Sequence, residues 1–227
     1  VRLRYGHQFK SDLGMSLFFS SAGTINSNSP YNVTVNYPVS ISSYELRFGA
    51  QFDSSYAATN EVIVTGPSGS GINGIQASQM GLRADDDDPG TVAYWWHFSG
   101  VPVTGLYTVN YKGTNLAFNI DASQINAHLV VPVPSITVSN GMLTAISWTY
   151  RNPSNGNVYS SAPLFIEGVY IGIEDYNGNR IYKYKIMDLS VKNHNLSSPI
   201  LWNNVSNITM GYEEILNSSY GFSFPKK

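Results

Sequence analysis

The sequence predicts an all-β protein built from antiparallel sheets. Short runs rich in Val, Ile, Thr, Tyr and Phe alternate between apolar and polar residues, which is the pattern of half-buried strands. Clusters of Gly, Pro, Asn and Ser separate these runs at fairly regular spacing, as in a sandwich or barrel. No window of about 12 residues carries a helical period, so helix is expected only in short turns.

The predicted strands follow one another along most of the chain. They are Val33–Tyr37, Tyr44–Phe48, Glu61–Val64, Thr108–Tyr111, Leu116–Ile120, Ser135–Val138, Ala145–Tyr150, Gly168–Glu174 and Arg180–Ile186. Asn155-Gly156 and Asn177-Gly178 predict hairpins in which both turn residues take positive φ. Short helical turns are expected at Ala122–Asn126 and Tyr212–Asn217.

A pair of prolines suggests how the chain divides. Pro132 and Pro134 predict an extended linker, because proline lacks the N–H that a central strand needs. We therefore expect an N-terminal arm or first strand at 1–14, one sandwich at 15–130 and a second at 131–227. A single larger sandwich with a long crossing strand is the alternative.

Three segments of the first half carry a family resemblance. They are Val62–Gly69, Tyr94–Phe98 and Pro102–Val109. This succession resembles bacterial secreted immunoglobulin-like domains, and the resemblance implies that Tyr107 packs at a sandwich corner. The segment around Trp148 is similar to fibronectin-type-III-like sandwiches. Over about half the chain, the resemblance implies two antiparallel immunoglobulin-like β-sandwiches in tandem, and it bears on fold rather than function.

The amino-acid composition argues against several classes of function. Only 12% of the 227 residues are charged and the net charge is −2, so no basic stripe is present for nucleic acid. No apolar run reaches the length of a transmembrane segment. Cysteine is absent, which excludes disulfides and thiolate chemistry. The polar, weakly charged surface and the start at Val1 lead us to expect a secreted or cell-surface protein.

Trp95 and His97 are the candidate ligand-binding residues. In the predicted strand Tyr94–Phe98 they share one face, and the other three aromatic residues share the opposite face. An outward Trp beside a polar ring would suit stacking on a sugar or gripping a protein. The alternative, that a loop or the second domain covers Trp95, is the commoner situation for tryptophan.

Asp85 and Asp87 are the candidate metal ligands. They belong to the run Asp85–Asp88, whose adjacent carboxylates repel each other and would be relieved by Ca²⁺. The spacing is not that of an EF-hand loop. A solvated acidic turn ending in Pro-Gly is the alternative, since charge runs are usually solvated. No other cofactor is expected.

Five Asn-x-Ser/Thr sequons are candidate glycosylation sites. Their asparagines are Asn32, Asn195, Asn204, Asn207 and Asn217. Their clustering toward the end of the chain suggests a glycosylated surface, although an Asn- and Ser-rich chain also produces such matches by chance.

No catalytic constellation stands out, so we expect a non-catalytic structural or adhesive surface protein. A filament or pilus-like subunit would associate with itself or with other surface proteins. Val1, Leu3 and Tyr5 alternate and could form an arm donated to a neighbour's sheet edge; an edge strand within the same domain is the alternative. The competing function is a carbohydrate-binding module that uses Trp95 and Trp202.

Overall fold

The computed structural model describes residues 3–5, 9–19, 22–39, 43–53, 62–72, 75–76, 81–84, 91–98, 103–111, 114–214 and 218–227. In these ranges the chain is almost entirely β, and the ladders between neighbouring strands are antiparallel, as predicted. Helix α1 (Ala122–Ala127) and a 3-10 turn at Trp202–Asn204 are short. The described helices include none that is both long and apolar enough to cross a membrane.

Strands follow one another along the whole of the described chain. In order they are β1 (Leu3–Tyr5), β2 (Phe9–Phe19), β3 (Gly23–Ile25), β4 (Val33–Val35), β5 (Ser43–Asp53), β6 (Val62–Thr65), β7 (Ile75–Gln76), β8 (Gly81–Ala84), β9 (Thr91–Phe98), β10 (Gly105–Tyr111), β11 (Thr114–Ile120), β12 (Val131–Ser139), β13 (Met142–Arg151), β14 (Ile166–Glu174), β15 (Arg180–Ile186), β16 (Asn193–Leu201), β17 (Asn207–Glu214) and β18 (Ser218–Pro225).

The chain forms two compact units, and each is discontinuous in sequence. Unit 1 comprises residues 1–16 and 43–128, and unit 2 comprises 17–42 and 129–227. The division at His128 lies close to the predicted boundary at residue 130. Residues 17–42, predicted to be part of the first sandwich, belong instead to unit 2. Hydrogen bonds explain this: the Ala22 amide donates to Ser223, and the Lys227 amide donates to Ile25.

In unit 1, strands β2, β5, β9 and β8 are neighbours in that order, with β1 beside β2, and a separate four-stranded sheet has the order β11-β10-β6-β7. Tyr107 on β10 is fully buried, and its hydroxyl donates to the Val103 carbonyl at 2.9 Å. Its ring packs against Gly66, where a Cβ atom would lie 2.8 Å from the ring. The hydroxyl thus reaches back to a carbonyl four residues upstream, while the ring fills the space beside Gly66.

Unit 2 is sandwich-like. Strands β15, β14, β17 and β18 are neighbours in that order, a separate three-stranded sheet has the order β12-β13-β16, and β3 pairs with β4. Val169, Ile171 and Ile173 of β14 alternate toward the core and are fully buried. The core is completed by residues of the neighbouring strands, chiefly Leu143, Ile146, Trp148, Tyr150, Ile208, Met210, Tyr212, Tyr220, Phe222 and Phe224.

The predicted linker at residues 131–135 is wrong, because these residues begin strand β12. Pro132 and Pro134 pair opposite Tyr150 and Trp148 of β13. The Trp148 amide donates away from β12, to Lys192, and the Tyr150 carbonyl likewise accepts from Tyr159. Both prolines therefore occupy positions whose N–H would point to the open side of the sheet. An edge strand tolerates proline there without losing a ladder hydrogen bond.

Both predicted Asn-Gly hairpins are present, but only their glycines take positive φ, at +77° for Gly156 and +79° for Gly178. In the second hairpin the Asp175 carboxylate accepts the amides of Asn177 and Asn179. These bonds favour a turn in which Asn177 keeps negative φ. The structure adds a third hairpin. Asn140-Gly141 joins β12 to β13 with positive φ at both residues, which is the tight turn that Asn-Gly predicts.

The helical turn predicted at Ala122–Asn126 is present as α1, whereas Tyr212–Glu214 is strand. At the N-terminus, Leu3 and Tyr5 lie in β1, which pairs with Ser11 and Phe9 of β2. This is the alternative that the sequence left open: the segment pairs within its own chain. Val1 lies outside the described residues.

Candidate functional site

Several exposed apolar side chains of unit 2, including Leu164, the most exposed of them, lie on loops at one end of its fold. This apolar loop surface is formed by Val158, Tyr159, Leu164, Met187 and Val191. Three belong to the connection between β13 and β14, and two belong to the connection between β15 and β16. Leu164 is 98% exposed and Met187 is 62% exposed. Single exposed apolar residues are ordinary, whereas several on neighbouring loops mark an interaction surface.

Hydrogen bonds hold the two loops beside each other. The Lys192 ammonium donates to the Ser160 carbonyl at 3.1 Å and so joins the two connections. The Tyr159 amide donates to the Tyr150 carbonyl at 2.8 Å, which fixes the first loop to the end of β13. The apolar side chains therefore stand on loops whose backbone is anchored to the sheets, a common arrangement for binding surfaces.

A second candidate, the tyrosine–histidine cluster, lies between edge strands β15 and β16. It consists of Tyr182, Tyr184 and His194. The rings of Tyr184 and His194 stack with centroids 4.0 Å apart and an interplanar angle of 21°. The Tyr182 hydroxyl and His194 Nε2 share a hydrogen bond of 2.6 Å. Tyr184 is 46% exposed, so the cluster presents a held aromatic ring to solvent.

Burial controls the protonation of this cluster. Burial lowers the pKa of the His194 imidazole from its ordinary 6.5, so the ring is uncharged at neutral pH. Burial also raises the pKa of the Tyr182 phenol, and hydrogen bonds from Ser197 oppose part of that rise. At neutral pH the cluster is therefore uncharged. It combines aromatic rings with hydroxyl and imidazole groups that can form hydrogen bonds.

The carboxylates of two turns are used structurally. The Asp175 carboxylate accepts the backbone and side-chain N–H groups of Asn179, which lower the pKa of that carboxyl. The Asp188 carboxylate accepts the hydroxyl and the amide of Ser190, which lower its pKa in the same way. The Asp175 turn is therefore explained by its own hydrogen bonds, without a cation.

Carboxylates on the sheet are also engaged. Glu174 accepts the Asn207 amide at 2.9 Å, and Glu213 accepts the Lys185 ammonium at 2.6 Å. A glycosidase site would need two carboxylates facing one cleft, whereas Glu174 and Glu213 are paired with side chains of neighbouring strands. Within the described ranges, no three His, Cys, Asp or Glu residues come together as a metal site.

The predicted ligand-binding and metal residues fall in unit 1. Strand β9 is present as predicted and places Trp95 opposite Arg47, and His97 opposite Glu45, of β5. The side chains of Trp95 and His97 are not among those described. Asp85 and Asp87 lie outside the described residues, so the calcium prediction stays a prediction.

Trp202 is not the exposed platform that the carbohydrate-binding alternative required. It is only 4% exposed, and its indole N–H donates to the Ser27 carbonyl at 2.9 Å. The Lys226 ammonium lies over the same ring, 4.6 Å from its centroid. The indole N–H and the ring face of Trp202 are therefore both engaged by residues of unit 2.

Sequence reasoning misses both candidate surfaces. Alternation within Arg180–Ile186 does place Tyr182 and Tyr184 on one face, which is a signal available in the sequence. Their partner His194 arrives from another sheet, and no local pattern connects it to them. Leu164 and Met187 lie in connections, where the sequence gives no sign that the side chains stay exposed.

No protein-family model matches the chain, and no curated protein matches its sequence. The chemistry of the two surfaces in unit 2 is therefore the basis on which a function can be assigned.

Proposed function

We propose that this protein is a non-catalytic structural or adhesive protein of the extracellular space or cell surface, and that it associates with further copies of itself. The apolar loop surface is the observation that carries the proposal. Removing Leu164 and Met187 from water would supply about 1.5–3 kcal/mol for each side chain that becomes fully buried. That gain is available to a partner because nothing within the described part of unit 2 covers these side chains.

The weak charge of the chain favours the same interpretation. A net charge of −2 gives little repulsion between copies, and proteins near zero net charge associate more readily. Four carboxylates hold turns and strands together, which favours a role in binding: they are those of Asp175, Asp188, Glu174 and Glu213. The buried Tyr107, whose hydroxyl donates to the Val103 carbonyl, is compatible with the proposed kinship with secreted immunoglobulin-like sandwiches.

Association through loops also fits the blocked edges of unit 2. Pro132 and Pro134 remove amide donors from the open side of β12. Strand β16 contains Pro199 and an irregular register against β13. Edge strand β15 carries Lys183 and Lys185. Prolines, bulges and lysines are the features by which edge strands avoid pairing with other chains, so we propose contacts between side chains rather than donated strands.

Sedimentation velocity of the full chain tests this proposal. We expect the weight-average sedimentation coefficient to rise with protein concentration. The double variant Leu164→Asp, Met187→Asp should weaken the association constant about tenfold or more, because buried charge replaces apolar contact. The matched control is Leu201→Asp. Leu201 is 46% exposed and is the last residue of β16, beside Trp202 in the chain.

Association that survives the double variant, or that Leu201→Asp weakens equally, would contradict the role of the apolar loop surface. A wild-type chain that stays monomeric at about millimolar concentration would contradict self-association altogether, since weaker contacts fall outside the range of specific interfaces.

Carbohydrate binding is the second candidate, and the tyrosine–histidine cluster favours it. A sugar ring stacks on an exposed aromatic face, and a ring already held by a neighbour loses less freedom on binding. Retention of the protein on immobilised polysaccharides should be lost in Tyr184→Ala and kept in Tyr176→Ala. Tyr176 is the control because it is also exposed but lies outside the cluster. Equal retention of both variants would remove this candidate.

A further inference from the structure

Three Asn-Gly pairs of unit 2 lie in turns, and they differ in how the fold engages them. They are Asn140-Gly141, Asn155-Gly156 and Asn177-Gly178. In such a pair the backbone nitrogen of the glycine can attack the side-chain carbonyl carbon of the asparagine, because glycine has no side chain that hinders the approach. A nitrogen whose N–H already donates a hydrogen bond must lose that bond before it can attack.

The glycine amides of two of the pairs are engaged. The Gly156 N–H donates to the Asn152 carbonyl at 2.9 Å, and the Gly178 N–H donates to the Asp175 carbonyl at 3.1 Å. Both turns must therefore open locally before the glycine nitrogen can react, and such opening costs free energy.

Neighbouring groups restrict the Asn155 pair further. The Asn155 side-chain oxygen accepts the Asn157 amide at 3.0 Å, which holds the carbonyl that would be attacked. On the other side, a Cβ atom at Gly156 would lie 2.6 Å from the Tyr37 ring. The Asn155 side chain therefore has little freedom to turn toward the glycine nitrogen.

The Asn140 pair is open. Asn140 and Gly141 are the two residues of the tight turn between β12 and β13, in which Ser139 pairs with Met142. Both residues are exposed, and a Cβ atom at Gly141 would meet no atom within 4 Å. Within the described part of the chain, no group accepts the Gly141 N–H or hydrogen-bonds to the Asn140 side chain. The two reacting groups can therefore meet without breaking a hydrogen bond.

We propose that Asn140 is the site at which folded unit 2 deamidates. The Gly141 nitrogen forms a bond to Cγ of Asn140, the bond from Cγ to Nδ2 breaks, and ammonia leaves with the proton that the Gly141 nitrogen loses. A water molecule from the solvent then opens the cyclic imide to aspartate or isoaspartate. No oxidant or reductant is required, and no enzyme is needed because the reacting groups belong to neighbouring residues.

The modification acts on Trp202 through the turn. The Gly141 carbonyl accepts the Trp202 amide at 2.8 Å. In isoaspartate the main chain passes through the former side chain and gains one carbon between residues 140 and 141, which displaces this carbonyl. Deamidation would therefore weaken the attachment of Trp202 to the β12–β13 turn as the protein ages. This inference goes beyond the proposed function and does not depend on it.

The test incubates the folded full chain at mildly alkaline pH for several weeks. Peptide mapping by mass spectrometry quantifies aspartate and isoaspartate at each Asn-Gly pair separately, so that Asn73-Gly74, which lies outside the described residues, does not interfere. We expect Asn140 to deamidate at least about fivefold faster than Asn155 and Asn177, because each of those needs at least one hydrogen bond to open. In chain unfolded by guanidinium, the three rates should become similar.

An unmodified Asn140, or equal or faster deamidation at Asn155 or Asn177 of the folded chain, would overturn the proposal. The same preference for Asn140 in the unfolded chain would also overturn it, since the fold would not select the site. Far-UV circular dichroism verifies that the folded samples are folded before incubation.

The link to Trp202 has its own control. Asn140→Gly removes the reactive amide and keeps the left-handed turn, because glycine tolerates positive φ. The aged wild-type chain should unfold at a lower urea concentration than the fresh chain, whereas the aged variant should keep its midpoint. An unchanged midpoint of wild-type chain that carries isoaspartate at position 140 would contradict the effect on Trp202.

Discussion

The two ends of unit 2 use their large side chains in opposite ways. At the closed end, defined by Ser27, Tyr31, Trp202 and Lys226, the indole N–H of Trp202 is bonded and its ring is covered. The Lys226 ammonium donates to the Trp202 carbonyl at 2.7 Å and also lies 5.2 Å from the centroid of the Tyr176 ring. At the other end, the apolar loop surface leaves Leu164 almost entirely in water.

This difference indicates that one end of unit 2 stabilises the fold, whereas the other end is available for binding. Side chains at the closed end contact residues distant in sequence and so hold unit 2 together. Those of the apolar loop surface contribute little to folding, because an exposed side chain gains nothing from burial. Substitutions at the first end should therefore change the free energy of unfolding, and substitutions at the second should change association.

The largest expected effect is at Trp202. Trp202→Ala should lower the free energy of unfolding by about 3–5 kcal/mol, because it removes a buried ring and leaves a cavity. Leu164→Ala, the control at the other end, should change it by less than about 0.5 kcal/mol. Urea unfolding followed by circular dichroism measures both. Similar losses of unfolding free energy in the two variants would contradict the proposed difference between the two ends.

A smaller loss of stability is expected from glycine substitutions. These test whether the backbone at the loop end is fixed although its side chains are exposed. Gly156 and Gly178 both have left-handed φ, but a Cβ atom at Gly156 would lie 2.6 Å from the Tyr37 ring, whereas none lies within 4 Å at Gly178. Gly178→Ala should cost about 1–2 kcal/mol for the backbone alone. Gly156→Ala should cost about 1–3 kcal/mol more, through the clash.

Thermal and urea unfolding of these two variants give the difference directly. Equal losses would mean that Tyr37 moves aside at no cost, and that the first loop is not held as tightly as its contacts indicate.

The smallest expected effect concerns the cation at the closed end. Lys226→Met keeps the aliphatic part of the side chain but removes the ammonium, and should cost about 1–2 kcal/mol through the lost ring and carbonyl interactions. Lys227→Met is the control, because the Lys227 side chain is exposed. Urea unfolding in about 1 M salt is also informative: a contact held by hydrogen bonding and stacking should persist where a surface ion pair is screened.

Local alternation is enough to predict the strands that form most of unit 2. Gly168–Glu174 and Arg180–Ile186 are recognisable because Val, Ile and Tyr repeat every second residue. Asn193–Leu201 escapes prediction because Asn, Ser and Pro dominate it, and its strand conformation depends on pairing with β13. Pro132 misleads because proline excludes a central strand but not an edge strand.

Long-range contacts explain what the sequence could not show. No local pattern assigns residues 22–39 to the unit formed by the last hundred residues, because that placement depends on pairing partners far along the chain. The tyrosine–histidine cluster has the same origin, since Tyr184 and His194 come from different sheets. The predictions for Trp95, His97, Asp85 and Asp87 rest on the sequence alone.

The placement of residues 22–39 in unit 2 has a consequence for biosynthesis. Ile25 is fully buried beside Lys226, yet the ribosome makes that partner roughly 200 residues later, which takes about 10–40 s at typical rates. During this delay the segment is exposed to chaperones and proteases. Its run Asn26–Ser29 is polar, and a polar run is less prone to aggregate while it waits. Unit 2 can thus finish folding only after Lys226 has been synthesised, although its strand β3 is made about 200 residues earlier.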